Sequence, residues 1–475
     1  MKNLLACRCL FARLWIAIPF LLIGVFPTSG KPGAALPEGI WQSQGYGYVF
    51  EFKGSSVQAF EVTETTCVRS FAARKQSREI KGSEATYRGP EGLVFSIESG
   101  GTPDHRFVQV ESAASRMRID RIPRKPGVCD HVTANTPFGN FEVFAQTWAE
   151  HYISFELKNA DWSKVVAENR AKITPATTPS QLFDILKSMI VPFGDAHAAI
   201  LAPGLKKQYV GLRSGTGQLL KDMGGSAGLQ KSGLTKLLNV TTRAYLTGPV
   251  RSFCNGKIHY GHVNPSTGYL RIIAFDDFAK NFEKGQKALD AALDEIFSDS
   301  NLHRLVIDVR FNSGGADPYG LTIASRLATV EYLAYTKYAR ASRAPGTWTP
   351  AEPSVVKPSS RPSFRGPVVL LTGPLTISAG ETFTQALMGR TPHVTRIGEN
   401  TQGVFSDMLL RALPNGWIFA LPNEVLRTSS GETFDGPGIP PDKIVPVFDS
   451  ADVAAGRDPA MAAALEVLLA TSQDQ

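Results

Sequence analysis

A chain of 475 residues with 43% hydrophobic and 20% charged residues is ordinary globular material, long enough for two or three domains that each bury a core. The formal net charge of +7 is mild, and no basic stripe with interleaved aromatics accompanies it, so nucleic acid is excluded as an expected partner. There is no HExxH, no paired CxxC and no phosphate loop, so neither a metal nor a nucleotide cofactor is expected.

The first 30 residues stand apart. Lys2, Arg8 and Arg13 precede the apolar run Leu14 to Phe26, and small and turn residues follow. That order describes an export signal peptide (residues 1–30), with cleavage near Gly30 or Ala35 and a periplasmic or extracellular destination. The run has 13 residues and contains Pro19, short for a membrane span, so an uncleaved anchor is the alternative reading. No later segment is apolar enough to span a bilayer. Removal of the leader lowers the charge from +7 to about +4 and takes Cys7 and Cys9 with it. Cys67, Cys129 and Cys254 remain. In an oxidising compartment Cys67 and Cys129 could bridge within one domain, leaving Cys254 free; three unpaired thiols are the alternative.

From 38 to 135 the chain reads as short alternating runs between turns, such as YGYVFEF, SSVQAFEV and HRFVQVES. This predicts a small antiparallel barrel or sandwich without catalytic residues. Over 138–202 the period becomes helical, at Phe141, Phe144 and Trp148, then at Leu182, Ile185, Leu186 and Met189. Thr178 caps the later helix and Pro179 opens it. The block ends in Gly194-Asp195-Ala196-His197, where Asp195 reads as a turn residue capping its own loop. Residues 203–257 are rich in Gly, Ser and Lys and read as a loop-rich linker.

Residues 258–450 alternate buried strands with amphipathic helices, which predicts crossover units and a largely parallel sheet. Ligands gather at the carboxyl ends of such strands. Two of those ends are Asp308-Val-Arg-Phe-Asn-Ser-Gly-Gly315 and Thr372-Gly-Pro-Leu-Thr-Ile-Ser378. A helix near Ala460 to Leu469 within 451–475 closes the chain. Ser378 followed by Glu381 is a capping box, and the same serine at a strand-to-helix corner could be a nucleophile. A serine needs a base and oxyanion donors to act. The N–H of Ala379 and that of Gly314 or Gly315 are the donors on offer. Ser378 lacks the flanking glycine of GxSxG, against an ordinary α/β-hydrolase.

The segments IDVRFNSGG (307–315), TISAGETF (376–383), GENTQG (398–403) and FDGPGIPPD (434–442) occur in the order seen in the C-terminal-processing, or tail-specific, serine peptidases. The helical block before them resembles that of the tricorn-core and retinoid-binding-protein branch, and the resemblance spans roughly 140–448. It implies an α+β multidomain chain: an N-terminal antiparallel β-barrel-like domain (its start loosely lipocalin-like), a helical domain, and an α/β crossover, ClpP/crotonase-like, catalytic domain. Where dyad members carry lysine this chain has Val404, so no Ser–Lys dyad can operate. The resemblance instead implies Ser378 as nucleophile, His197 as base and Asp435 as the acid beside it, with Glu432 as substitute because Asp435 is a methylene shorter than the usual glutamate. The expected activity is hydrolysis of a peptide or protein substrate through an acyl-enzyme. A non-catalytic ligand-binding module of the same fold, or an esterase using Ser378, are the alternatives. His259 and His262 have no assigned place, and no PDZ-like segment is present.

Overall fold

The computed structural model describes residues 38–470 apart from 78, 79, 81, 223–233, 345 and 448; the leader at 1–30 lies outside them. Among the described residues no helix is long and apolar enough to cross a membrane. The alternating N-terminal runs form β1 Gly39–Ser43, β2 Tyr48–Lys53, β3 Ser56–Val62, β4 Cys67–Lys75, β5 Ala85–Arg88, β6 Val94–Ser99, β7 His105–Val110 and β8 Met117–Ile122. Each pairs antiparallel with the next, and β1 returns to β8 with Ile40 opposite Ile122, so the barrel is closed. Closure removes free edges, and the period of two sends Trp41, Phe50, Phe52, Phe95 and Ile119 into a shared interior. At one end that interior is completed by half-buried Tyr48, Phe71, Leu93, Val110 and Met117. Cys67 and Cys129 form a disulfide, and Cys254 is buried and unbonded.

The helical block is α1 Pro137–His151, α2 Trp162–Arg170 and α3 Pro179–Ile190. Thr178 caps α3 in a full capping box with Gln181, as its sequence predicts. Trp148, Tyr152, Trp162 and Phe193 form one aromatic cluster, with Trp148 and Tyr152 centroids 4.8 Å apart. The chain then enters β9 Ala199–Ala202 and β10 Lys207–Val210.

Residues 203–257 depart from the expected linker. They hold α4 Ser214–Asp222, α5 Leu234–Tyr245 and β11 Thr247–Phe253 besides β10. The small polar residues that suggested a loop do not prevent anchoring: Thr241 donates to Asp458 at 2.6 Å, and the Tyr245 hydroxyl donates to the Asp458 carbonyl at 3.1 Å.

The catalytic half follows as β12 Ile258–Asn264, β13 Thr267–Ile272, α6 Phe282–Phe297, β14 Arg304–Asp308, α7 Asp317–Leu327, β15 Tyr332–Ala339, β16 Glu352–Val356, β17 Val368–Thr372, α8 Ala379–Met388, β18 Val394–Gly398, β19 Met408–Ala412, β20 Ile418–Pro422, β21 Glu424–Arg427 and β22 Lys443–Ile444, then α9 Ser450–Ala454 and α10 Pro459–Ala470. The main sheet has the order β11-β12-β13-β14-β17-β18-β22. From β13 onward the pairings are parallel; β11 and β12 add an antiparallel flank. Leu293, Ile323 and Phe383 from α6, α7 and α8 belong to the core on one face of this sheet. Met461, Ala464 and Leu468 of α10 pack on the other, against Val306, Val369 and Leu371. The final helix is thus part of the core.

A second sheet, β10-β9-β20-β19, ties the helical block to the catalytic half: Ile200 pairs with Phe419. The barrel docks on β19, the last strand of that sheet. Glu61 accepts the Ala412 N–H at 2.8 Å, the Tyr46 hydroxyl donates to Glu424 at 2.5 Å, and the Arg411 guanidinium lies 4.3 Å over the Tyr48 ring.

The disulfide joins residues 62 apart in sequence. Loop-closure entropy for such a span gives an upper estimate of ~4 kcal/mol. Replacing both Cys67 and Cys129 by Ala should therefore move the urea midpoint of barrel unfolding to lower concentration. An unchanged midpoint would show that the bridge contributes nothing to the barrel.

Candidate active site

Strand β17 stops at Thr372, and the next six residues are fastened to the neighbouring strand end before α8 begins. The Thr376 hydroxyl donates to the Val309 carbonyl at 2.8 Å and accepts the Gly373 N–H at 3.1 Å, while the Ile377 N–H donates to the Asn312 carbonyl at 2.9 Å. Asn312 is fully buried, and its amide donates to the Ile272 carbonyl at 3.0 Å. Held this way, Ser378 takes φ 55 and ψ −120, a left-handed conformation that costs a non-glycine residue on the order of 1–3 kcal/mol. Such a strained strand-to-helix corner projects a serine hydroxyl outward.

Only one side of the expected capping box serves the helix. Glu381 reaches back to accept the Ser378 N–H at 3.2 Å, whereas the Glu381 N–H goes to the Ser378 carbonyl at 2.7 Å and the serine side chain makes no capping bond. The hydroxyl is left for other work.

The donors around it are distinguishable. The Ala379 N–H at the start of α8 has no hydrogen-bond partner among the described residues, and neither has that of Gly315. The Gly314 N–H is occupied by Asn312 Oδ1 at 2.9 Å. Gly314 lies beneath the serine, where a Cβ would stand 2.7 Å from the Cβ of Ser378. Gly315 is exposed at φ +136, where a Cβ would meet the Phe275 carbonyl oxygen at 2.2 Å. Of the two glycines the geometry favours Gly315 as an oxyanion donor and gives Gly314 the task of close approach.

Glu381 is itself fully buried. Beyond Ser378 it accepts the N–H of Gly403 at 2.6 Å and of Val404 at 2.8 Å, so one carboxyl links the serine to the segment where dyad members place lysine. Burial pushes this carboxyl up to about 8, against the downward pull of its hydrogen bonds. Arg213 braces the same loop from outside: it donates to the carbonyls of Thr401, Gly436 and Pro437, each at 3.2 Å.

His197 follows the turn that leads into β9 and is 2% exposed. Its backbone N–H donates to Asp195 Oδ1 at 2.9 Å, the self-capping turn its sequence suggests. Burial lowers the imidazole below its usual range; Asp195, Asp407 and the Ser406 backbone pull the other way. Nδ1 is buried without a partner among the described residues. Glu381, which accepts the Ser378 N–H, and His197 therefore reach opposite ends of one segment, 403–406, and no hydrogen bond joins the Ser378 and His197 side chains among the described residues.

Asp435, the expected acid, is held by a backbone and a hydroxyl donor. Asp435 accepts the Phe405 N–H at 3.3 Å and the Thr433 hydroxyl at 3.1 Å. Burial pushes it up to about 7, and Asp195 adds to that rise. Asp195 and Asp407 favour the protonated imidazole, and Asp195 lines the same small cleft as Asp435. Asp195 also accepts the Tyr152 hydroxyl at 3.3 Å. Glu432 is exposed on a turn, bonded to Ser430 at 2.9 Å, and does not act on the imidazole. His259 and His262 lie on β12, on the antiparallel flank of the main sheet. Among the described residues no group of three or more His, Cys, Asp or Glu could hold a metal ion.

Asn312, Arg213 and the long reach of Glu381 were not foreseen as functional. Asn312 and Glu381 lie within the quoted motifs but present there as turn and cap. Arg213 lies in the segment read as linker, and nothing local marks it.

Residues 266–445 match the family model described as Peptidase family S41. Through that stretch, less than half of its length, the chain is similar to the peptidases of family S41. Among solved structures, a candidate peptidase from Parabacteroides merdae is 23% identical with a TM-score of 0.58, over 72% of this chain and 99% of that one. Mature CPAF complexed with lactacystin is 12% identical with a TM-score of 0.52, over 71% and 98%. At these identities the likeness concerns the fold. No curated protein matches the chain.

A carboxyl whose folded pKa is raised keeps its proton where the unfolded chain has lost it. Its contribution is full below the unfolded value and is lost as pH rises through the folded one. Glu381 thus predicts that the thermal midpoint falls between about pH 4.5 and 8. Glu381→Gln should flatten this fall while lowering activity, because its amide NH2 would face backbone N–H donors. An unchanged slope in the variant would remove Glu381 as its cause.

Proposed function

We propose that the protein is an exported serine peptidase that hydrolyses peptide bonds through an acyl-enzyme. The observation that carries this reading is the Ser378 corner: a non-glycine residue at φ 55, ψ −120, its side chain unused by the helix, with the N–H groups of Ala379 and Gly315 unengaged beside it. Export rests on the leader, whose apolar run follows three cationic residues.

In this mechanism the Ser378 Oγ attacks the scissile carbonyl carbon as His197 takes its proton. The developing oxyanion is held by the N–H groups of Ala379 and Gly315. Collapse expels the amine, which leaves with the proton from His197, and the acyl group stays on Ser378. Water then attacks the ester carbon and gives a proton to His197; the C–Oγ bond breaks, His197 passes that proton to the Ser378 Oγ, and the acid leaves. Asp195 is the carboxylate best placed to favour the imidazolium, and Asp435 acts behind it. A buried, neutral imidazole suits the base, which has to begin unprotonated.

A fluorophosphonate should label wild type and fail to label Ser378→Ala; equal labelling of both would move the nucleophile elsewhere. His197→Ala should lower peptide turnover by about 10²–10⁴-fold, and near-normal turnover would remove it as base. The acid limb of kcat/KM should have its midpoint below the usual histidine value of about 6.5. Asp195→Asn should move that midpoint lower still, because the lost charge favours the protonated ring. A midpoint that rises would contradict this role. A panel of matched peptide and ester substrates separates a peptidase from an esterase using the same serine.

A further inference from the structure

The half-buried residues that complete the barrel interior at one end, Tyr48, Phe71, Leu93, Val110 and Met117, all line a single cleft of ≈ 940 Å³. The same cleft is lined by Met408 to Ala412 of β19, and by Phe275, Phe282, Ala316 and Tyr319 together with Gly315. The barrel mouth and the favoured oxyanion glycine therefore share one space. Its volume is at the upper end of what small-ligand sites occupy, enough for several residues of an extended chain.

We propose that the barrel mouth is a specificity subsite that takes a bulky apolar side chain of the peptide flanking the bond attacked by Ser378. This rests on the peptidase reading and adds to it what the substrate must carry. The occupant follows from continuity. A chain whose carbonyl oxygen lies on the Gly315 N–H must run through the cleft on at least one side of that carbonyl. There it meets aliphatic and aromatic side chains contributed by β2, β4, β7 and β8. Burying a Leu or Phe side chain among them is favourable, whereas a carboxylate would meet cations that are already engaged: Arg116 by Glu352, Lys257 by Asp276, and Arg411 over the Tyr48 ring. The mouth is also held in place. Tyr46 bonds Glu424, and Glu424 lies 3.5 Å from the buried Lys337 ammonium, so the docking residues are fixed from the catalytic side. The barrel thus works as part of the substrate channel, with its closed centre filled and its open end facing the chemistry.

The test uses the whole mature chain and quenched peptides identical except for Leu, Phe, Ser or Glu beside the cleaved bond. Wild type should prefer Leu or Phe over Ser or Glu at least roughly tenfold in kcat/KM. Val110→Lys and Met117→Lys should collapse that ratio, with the milder Val110→Ser and Met117→Ala reducing it in variants that keep the wild-type circular dichroism spectrum. A ratio held in all four variants, or a wild-type preference for Ser or Glu, overturns the proposal. Fluorophosphonate labelling of wild type reports separately on Ser378. If labelling fails, anisotropy of a dansylated Leu/Phe peptide bound to Ser378→Ala still decides the subsite. Binding weakened at least tenfold by Val110→Lys supports it, and binding indifferent to that change overturns it.

Discussion

One buried carboxyl organises the catalytic half. Glu381 lies a turn inside α8 with no solvent exposure, and its oxygens accept the N–H groups of Ser378, Gly403 and Val404. Removing a carboxyl from water is costly unless its acceptors are satisfied, so this position fixes three backbone groups at once. The serine corner and the loop after β18 are therefore tied through one side chain. Asn312 does the same from the other side, joining β13, the glycine turn and the residue before Ser378. The left-handed serine is the product of these two clamps: strain at one residue is held by hydrogen bonds at several others.

The architecture extends this arrangement outward. The helical block ends at His197, and β9 immediately enters a sheet shared with β20, which delivers the imidazole to the 403–406 segment. The barrel docks on β19 of the same sheet, and residues at its half-buried end line a cleft that Gly315 also lines. Arg310, fully buried between Asp308 and Asp458, secures the end of β14 beneath the glycine turn; its paired charges compensate one another away from water. The helical block and the barrel thus both attach to the sheet β10-β9-β20-β19, which joins them to the α/β half.

Much of this was legible along the chain because the signals are local. Period-two runs closed into a barrel, helical spacing gave α1 and α3, and the ordered motifs located the Ser378 corner. The charges that surround His197 were not legible, since Asp195 and Asp407 raise the affinity of its ring for a proton through a tertiary fold that spacing does not encode. Asp435 lines the same small cleft as Asp195 and accepts the Phe405 N–H. The 203–257 segment misled because Gly, Ser and Lys dilute the apolar period of its helices, and Arg213 acquires its meaning only where the loops at 401 and 436 converge. The choice between Gly314 and Gly315 likewise needed the Asn312 side chain to be placed.

The account stands or falls on whether the strained serine carries the acyl group. Wild type can be mixed with a slowly deacylating activated ester, quenched in acid, digested and mapped by mass spectrometry. The prediction is one acyl adduct, on the peptide containing Ser378, that disappears on longer incubation as the ester hydrolyses. Substrate turnover with no adduct there, or an adduct on another residue that decays at the rate of turnover, would contradict it.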